Sequence, residues 1–496
     1  MAPGTIKPDG IASTGQREVM KGLAKFAGLA LAGAAAFTQT AAAKVSNEEA
    51  ARLGIEGTEL TPMGAVRAGN ADGSIPAWEG GIKTPPAGYT QGGWYIDPYA
   101  DDKVLFTITA QNYEQYKDRL SVGQIAMLKK YPDSYKLSVY PTRRSASYPK
   151  DIYENSIWNA SNTEFCSPSL GKDREERCVK REVYKPGVFF PIPKTGGEAM
   201  WNHTFYWFGK HHVVTHYGFN AFADGTYAEF STTERWIIPS SMYIEEVPKG
   251  DVFTRKGGAA WCFSQETLTP PRNAGSIFGG CNYFETTDFD AYLYVPGQRR
   301  VRKAPEIGFY DSPSSNSDGL RTADSKNMGA MTGDQEWYVW TAKRREMYVP
   351  YNSYKMTQPG LTMKDIVRPG HINSDLVRYE LHRVWEIEGK IKPGYRHLSP
   401  HRVTYVDEDS WAGVAQNIYD AQDNLWRVSE AYLINYYDVP VVHQFADDHS
   451  DVINGRHASN AGWANLGGNP ANLMNHHVMP DPDIQTPAGL RKYGLR

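Results

Sequence analysis

The second half of the chain is patterned as consecutive β-strands joined by short polar turns. Aromatic and β-branched residues are concentrated in four segments, at 377–387, 402–406, 411–419 and 425–436. The turns between them include Asp407-Glu408-Asp409 and Gln422-Asp423-Asn424. Strands joined by short turns must run antiparallel to each other. The pattern therefore predicts an antiparallel meander and a mainly β fold, with a smaller helical part.

The composition favours the same fold class. The 496 residues include 31 Tyr, 18 Phe and 13 Trp, together with 46 Gly and 31 Pro. Aromatic rings favour strands, and Gly and Pro favour turns, so long helices are not expected. A hydrophobic content of 41% is typical of a globular chain. The formal net charge of -3 gives no reason to expect nucleic acid as a partner.

The rest of the chain divides by its local patterns. Residues 205–440 are predicted to form the sheet. Apolar residues recur at helical spacing in 111–131, which predicts a helical pair broken at Gly123. The segment 44–110 is expected to be an N-terminal strap, with a short helix within 44–57 and no regular structure at 60–81, which is rich in Gly, Pro and Asn. The tail, 446–496, is also predicted to be irregular.

The first 43 residues have the composition of an export signal. An apolar run at 26–37 follows three basic residues, which are Arg17, Lys21 and Lys25. Ala41 and Ala43 fit a cleavage site, so residues 1–43 are predicted to be removed and the mature chain to start at Lys44. The run is too short to span ~30 Å of hydrocarbon. Gln16 stands where a twin-arginine signal has its first arginine, which leaves the export route open.

The cysteines fit an oxidising compartment, and the periplasm is the predicted location. There are four of them, Cys166, Cys178, Cys262 and Cys281. None forms a C-x-x-C pair, so a zinc ribbon or thioredoxin-like site has little support. The favoured pairing joins Cys166 to Cys178 and Cys262 to Cys281, because it closes the shortest loops. One bridge with two buried thiols is the alternative.

The histidines are the residues to weigh for metal chemistry. His212 and His216 would share a helix face, but Val213-Val214-Thr215 favours a strand. A strand separates these two by about 13 Å at ~3.3 Å per residue. Two further groups lie at 443–457, with three Asp residues, and at 476–477, both in sequence that resembles loops. Because no catalytic motif is present, we predict no catalytic residues, no metal and no cofactor.

Arginine-rich segments interrupt the strand pattern at 143–144 and 299–303. Arginine binds carboxylate and phosphate with two parallel hydrogen bonds. The predicted ligand-binding residues are therefore Arg143, Arg144, Arg300 and Arg302, acting as a clamp on an anionic head group. In a strand, Arg300 and Arg302 would share one face. The alternative is a solvated sheet face with salt bridges.

Several long motifs occur in order along the chain. They are LTPMGA at 60–65, RAGNADG at 67–73, IPAW at 75–78, VYPTRRSA at 139–146, FPIP at 190–193, GEAMWNH at 197–203, PGQRRVR at 296–302, VPYN at 349–352 and YDAQ at 419–422. Together they resemble the family catalogued as domain of unknown function 1329. The resemblance implies a fold related to the Lol lipoprotein carriers and receptors. It implies that 44–496 is one elaborated domain of that kind, with a large curved antiparallel sheet, or incomplete barrel, around an apolar cavity.

The resemblance carries no established activity. It implies binding or transport of a lipid or another hydrophobic molecule, with an inner-membrane export pump and an outer-membrane protein as candidate partners. Shielding such a ligand is physically sensible, since exposed apolar surface costs ~25 cal/mol per Å² in water. Two other hypotheses stay open. One is a metal-assisted periplasmic hydrolase using the histidine groups, and the other is an accessory protein of an envelope complex that binds no ligand.

Overall fold

The computed structural model describes residues 45–165, 179, 181–284, 289–304, 319–322, 328, 337–460 and 462–494. The predicted export signal lies outside the described residues, and so do Cys166 and Cys178. By its internal contacts, the chain from Ala43 to Arg496 is one compact unit. Among the described residues, no helix is long and apolar enough to cross a membrane.

Strands dominate the described residues. They are β1 (Phe106–Ile108), β2 (Leu137–Val139), β3 (His211–Ala221), β4 (Tyr227–Ile237), β5 (Ala259–Thr269), β6 (Ile277–Tyr283), β7 (Phe289–Val295), β8 (Arg300–Lys303), β9 (Tyr338–Pro350), β10 (Val367–Arg368), β11 (His371–Ile372), β12 (Tyr379–Ile391), β13 (His401–Asp407), β14 (Gly413–Tyr419), β15 (Leu425–Tyr436), β16 (Val441–Asp451) and β17 (His457–Ser459). The α-helices are short. They are α1 (Asn47–Ala50), α2 (Val122–Lys130), α3 (Lys150–Asn162), α4 (Gly196–Thr204), α5 (Asp251–Thr254), α6 (Met363–Ile366) and α7 (Pro487–Gly494).

Fifteen of these strands form one open, almost entirely antiparallel sheet. Its order is β1-β2-β12-β13-β14-β15-β16-β17-β3-β4-β5-β6-β7-β8, with β9 paired along β12. The predicted meander is β12 to β15, and β3 and β4 form a hairpin around Asp224. The prediction of a mainly β fold built on a large open sheet is confirmed. The pairing of β12 with β2 is parallel and is limited to Tyr379 and Val139.

The sheet extends further along the chain than predicted at its carboxyl-terminal side. β16 continues through Asp451, and β17 follows at His457–Ser459. The prediction of an irregular tail from residue 446 is therefore wrong at these two strands. β17 pairs with β16 on one side and with β3 on the other. The error has a physical cause. Every residue of β16 is buried, including the run Asp447-Asp448-His449-Ser450-Asp451. Because these side chains are polar, the sequence shows no hydrophobic pattern from which this strand could be predicted.

The predicted helical pair at 111–131 is one helix preceded by two short 3₁₀ turns. The turns cover Tyr113–Gln115 and Lys117–Arg119, and α2 begins at Val122. Gly123 does not break α2 but lies in its first turn. A Cβ at Gly123 would lie 2.2 Å from the Asn417 side chain, so glycine permits close packing of α2 on the sheet.

The amino end of α2 is fixed by a reciprocal capping box. The Ser121 hydroxyl accepts from the Gln124 backbone N–H at 3.0 Å, and the Gln124 side chain accepts from the Ser121 N–H at 3.0 Å. We expect Ser121→Ala to lower the free energy of unfolding by about 1 kcal/mol, measured by urea titration. The control is Ser46→Ala, which removes the same type of cap from α1. Because α1 has no buried residue, Ser46→Ala should lower the free energy of unfolding by less. An equal loss from the two substitutions would contradict the inference that the cap of α2 matters because α2 packs on the sheet.

Helix α4 is buried at all nine residues and packs on β9 and β12. Aromatic rings surround it, and the Trp201 ring lies 4.5 Å from the Phe205 ring and 6.2 Å from the Phe189 ring. Among the described residues, the face of the sheet under α4 is therefore packed with side chains. The predicted apolar hollow is not found there, because α4 and its aromatic neighbours fill the space.

Cys262 and Cys281 lie directly opposite each other on β5 and β6 and form a disulfide. This part of the predicted pairing is confirmed. Cross-strand partners are close enough for a bridge without a change of register, so the disulfide fixes the β5–β6 pair. The other predicted pair, Cys166 and Cys178, lies outside the described residues.

Candidate ligand-binding site

The predicted head-group arginines Arg143 and Arg144 already bind carboxylates of the chain itself. Arg144 makes two hydrogen bonds to Asp409, at 2.8 and 2.6 Å, and its other guanidinium nitrogen donates to the carbonyl of Arg67 at 3.0 Å. Both side chains of this pair are 3% exposed. Arg143 pairs with Asp102 at 2.6 Å but is half-exposed. An anionic ligand would have to displace these carboxylates first.

The other two predicted arginines lie at the opposite end of the sheet order. Arg300 and Arg302 belong to β8, whose described partner is β7, and both side chains are exposed. The structure therefore does not bring the four arginines together. Their role in binding stays a prediction.

A buried network of charges adjoins Arg144. His382 lies between two carboxylates, with Nδ1 3.0 Å from Asp407 and Nε2 3.2 Å from Glu380. Burial alone would lower the pKa of His382, but the hydrogen bonds and negative charges of these carboxylates outweigh it and raise the pKa to about 9. Glu380 also accepts from Arg378 at 2.6 Å. The network is held together by ion pairs within the protein.

The same network contains a group with metal-ligand geometry. Ligand atoms of His382, Asp407 and Asp409 lie within 4.8 Å of one another. A metal ligand must be a neutral imidazole, whereas a pKa of about 9 keeps His382 protonated at neutral pH. Asp409 is bound at both oxygens by Arg144. The positive charges of Arg144 and His382 thus balance the negative charges of these carboxylates, as a bound cation would.

The histidine groups singled out by sequence are mostly buried in strands. His449 and His457 lie in β16 and β17 and contact Asp447 at 3.2 Å and Asp448 at 2.8 Å. His212 lies in β3, as its β-branched neighbours predict, and its ring is 5.3 Å from that of His476. Burial lowers the pKa of His476 to about 4 and keeps it neutral. The rings of His212, His457 and His476 pack against aromatic rings, and these buried histidines are parts of the core.

A second buried acid lies beside a very small cavity. Glu430 accepts hydrogen bonds from Tyr379 at 2.8 Å, Tyr135 at 3.3 Å and Gln124 at 3.2 Å. Burial raises the pKa of Glu430 to about 7. The adjoining cavity measures about 10 Å³. That volume is of the order that one water molecule needs, so the cavity is too small for an organic ligand.

A cavity of about 310 Å³ lies among the segments that wrap the sheet. Three parts of the chain line it, the strap residues 89–95, the β15–β16 turn at Asp438 and the tail residues 470–477, and it is partly open to solvent. The strap is tied to the turn because Tyr437 accepts a hydrogen bond from the Ile96 N–H at 2.8 Å. The tail is tied to β3 by a pair of backbone hydrogen bonds between Asn475 and Val213. Ligand pockets typically measure ~300–1,000 Å³, so this cavity fits a small organic molecule.

The polar end of this cavity is Asp438. Its carboxylate accepts from the hydroxyls of Tyr89 and Tyr95, both at 3.0 Å, and lies 3.0 Å from Nε2 of His477. Burial, followed by the charge of Asp438, raises the pKa of both tyrosines, so they stay neutral donors. The cavity therefore combines one fixed carboxylate with aromatic and aliphatic walls. The walls include Tyr89, Tyr95, Pro470, Ala471, Leu473 and Met474.

Of the residues that line this cavity, the sequence pattern singled out His477 alone, as part of the histidine pair at 476–477. Asp438 and Tyr95 are separated by 343 positions, and neither belongs to a motif. The tyrosine-rich strap, with Tyr89 and Tyr95 in an otherwise irregular segment, is the one local signal that could have been used.

The fold and the cavity define an open-sheet protein whose wrapping segments line a partly open cavity of ligand size. The chain belongs to the family described as Protein of unknown function (DUF1329), whose family model matches residues 107–480. The resemblance deduced from the motifs is thereby confirmed. The uncharacterized protein PA3922 of Pseudomonas aeruginosa is 39% identical over 467 residues, which cover 92% of this chain and 96% of that protein.

Solved structures resemble parts of this fold only distantly. A DUF1329 family protein from Desulfovibrio piger matches 60% of this chain and 97% of its own, at 12% identity and a TM-score of 0.38. A putative outer membrane lipoprotein-sorting protein domain from Vibrio parahaemolyticus matches 60% and 98%, at 10% identity and a TM-score of 0.39. A LolA superfamily protein from Nitrosomonas europaea matches 59% and 98%, at 9% identity and a TM-score of 0.33. At these scores the likeness carries no inference about a ligand.

Proposed function

We propose that this protein binds a small, largely apolar molecule in the periplasm. The observation that carries the proposal is the 310 Å³ cavity between the strap, the β15–β16 turn and the tail. Its volume favours a small hydrophobic molecule over a long-chain lipid, because it lies at the lower end of the range for ligand pockets. Burial of an apolar ligand against Leu473 and Met474 supplies the binding energy at ~25 cal/mol per Å².

Two further observations support binding rather than bond cleavage. In the buried ion network, both ring nitrogens of His382 are bound to carboxylates of the protein itself. The described residues that line the cavity include no second carboxylate beside Asp438 for acid–base catalysis. Val478 and Met479 follow the cavity residue His477 and are exposed, at 54% and 39%. Exposed apolar side chains beside the cavity suit the transfer of an apolar ligand. Contacts with an export pump and an outer-membrane protein stay predictions.

The first test uses the neutral fluorescent probe N-phenyl-1-naphthylamine. We expect saturable binding with a stoichiometry of about one per chain, because the probe is of a size to occupy the 310 Å³ cavity. Ala471→Trp places an indole at the cavity wall and should weaken binding about tenfold or more, since it removes the space that the probe occupies. Ala274→Trp, in the exposed β5–β6 turn, is the matched control and should leave binding unchanged. Equal binding by all three proteins would contradict the proposed site.

The second test is native mass spectrometry of protein purified from the periplasm, with solvent extraction of the same sample. A co-purified small apolar molecule supports the proposal. Stoichiometric metal without such a molecule supports the hydrolase hypothesis instead. Neither, combined with capture of a membrane protein, supports the accessory role and contradicts ligand binding.

A further inference from the structure

The charge of the cavity wall limits which ligands it accepts. Twelve described residues line the cavity, and among them none is a lysine or an arginine. The one carboxylate of the wall is Asp438. An anionic ligand would meet this carboxylate without a fixed positive charge to balance it. The wall therefore disfavours anions, in contrast to the arginine clamp suggested by the sequence.

The carboxylate of Asp438 is preorganised rather than saturated. The Tyr89 hydroxyl and His477 Nε2 contact Oδ2, and the Tyr95 hydroxyl contacts Oδ1. An ionised carboxylate offers about four acceptor positions, so about one is left on the Oδ1 side. The side chain of Asp438 is 11% exposed. A donor within the cavity can thus reach a carboxylate that is already held in place and largely shielded from water.

The aromatic wall suits the same kind of ligand. The rings of Tyr89 and Tyr95 both line the cavity and stack with their centroids 5.6 Å apart. Tyrosine faces attract ammonium groups, and this attraction is stronger where water is excluded. An ammonium group beside Asp438 would therefore contact both a carboxylate and aromatic rings. The remaining wall at Leu473 and Met474 is apolar and suits a hydrocarbon body.

We propose that the ligand is a hydrophobic amine whose ammonium group binds Asp438 and whose apolar body lies against Leu473 and Met474. This inference rests on the proposed function and names the chemical class of its ligand. The amine supplies a positive charge, which no lysine or arginine of the described lining supplies. It donates to the free acceptor position of the carboxylate without displacing Tyr89 or Tyr95.

The test compares three probes that share an eight-carbon alkyl chain and differ in the head group. They are octylamine, 1-octanol and nonanoate, measured by isothermal titration calorimetry with the full mature chain. We expect octylamine to bind at least about tenfold more tightly than the other two, because a charge-assisted hydrogen bond in a shielded site is stronger than a neutral one. Comparable binding of octylamine and 1-octanol, or tightest binding of nonanoate, overturns the inference and leaves the proposed function standing. If no probe binds, both fail.

A variant pair checks that Asp438 is responsible. Asp438→Asn keeps the size of the side chain and removes its charge, so the advantage of octylamine over 1-octanol should fall to within about threefold. Asp133→Asn changes an exposed aspartate outside the cavity and should keep the full advantage. An unchanged preference in Asp438→Asn overturns the assignment. If Asp438→Asn does not fold by circular dichroism, the comparison of probes on the unaltered chain still decides the question.

Discussion

Arg144→Met is expected to lower the free energy of unfolding by about 3–5 kcal/mol, measured by urea titration at pH 7. Arg144 and Asp409 are both buried and joined by two hydrogen bonds, and Glu408 lies 3.9 Å from the same guanidinium. Burial alone would lower the pKa of Arg144, yet Asp409 and Glu408 outweigh it and raise the pKa above its usual value. Removing the guanidinium therefore leaves uncompensated negative charge in the core.

The neighbouring arginine provides a matched control. Arg143→Met removes a pair in which the arginine is half-exposed and leaves Asp102 bound to Arg378, so we expect a loss of only ~0–1 kcal/mol. The double variant Arg144→Met with Asp409→Asn should be less destabilised than Arg144→Met alone, because the orphaned charge is also removed. Equal losses for Arg143→Met and Arg144→Met would show that the buried pair has no special role.

The second large effect is a pH-dependent stabilisation by His382. Its folded pKa is about 9 against an ordinary value of 6.5, so the folded chain holds this proton more tightly than the unfolded chain. The stabilisation is fully present below pH 6.5 and is lost as the pH rises through 9. The shift corresponds to roughly 3 kcal/mol. We expect wild-type stability to fall between pH 6.5 and 9 by this amount more than the stability of His382→Gln does, measured by urea titration across the range.

The comparison with His382→Gln is needed because other buried groups titrate in an overlapping range. Burial also raises the pKa values of Glu408 and Glu430 to about 7. Ionisation of these two groups therefore also lowers the free energy of unfolding as the pH rises. These contributions are shared by the wild type and His382→Gln and cancel in the difference. Parallel pH profiles for the two proteins would contradict a protonated His382 in the folded state.

The sequence predicted the strands whose side chains follow the usual rule. The meander from β12 to β15 combines aromatic or β-branched residues with polar turns, which is the pattern that identifies strands. β16 violates the rule, because its Asp447, Asp448 and His449 are buried by pairing with each other and with neighbouring strands. Such burial depends on partners elsewhere in the chain and has no local signature.

The candidate site was missed for the same reason. The two arginines at 143–144 are adjacent in sequence and were given the same predicted role. Arg144 is buried and paired with an aspartate 265 residues away, whereas Arg143 is half-exposed. The cavity is assembled from a strap, a turn and a tail that sequence patterns describe only as irregular. Sequence can thus identify which segments are strands, but only tertiary packing shows which loops meet and which charges they bring together.

The position of β17 has a consequence for how the molecule is assembled. Strands β3–β8 and β12–β16 are adjacent in the sheet only through β17, which comes from residues His457–Ser459 near the carboxyl end. A ribosome must therefore synthesise nearly the entire polypeptide before β17 can join β3 to β16. Contacts of such long sequence separation slow folding and prolong the exposure of unpaired strand edges. Until β17 has been synthesised, the edges of β3 and β16 lack the strand that joins them.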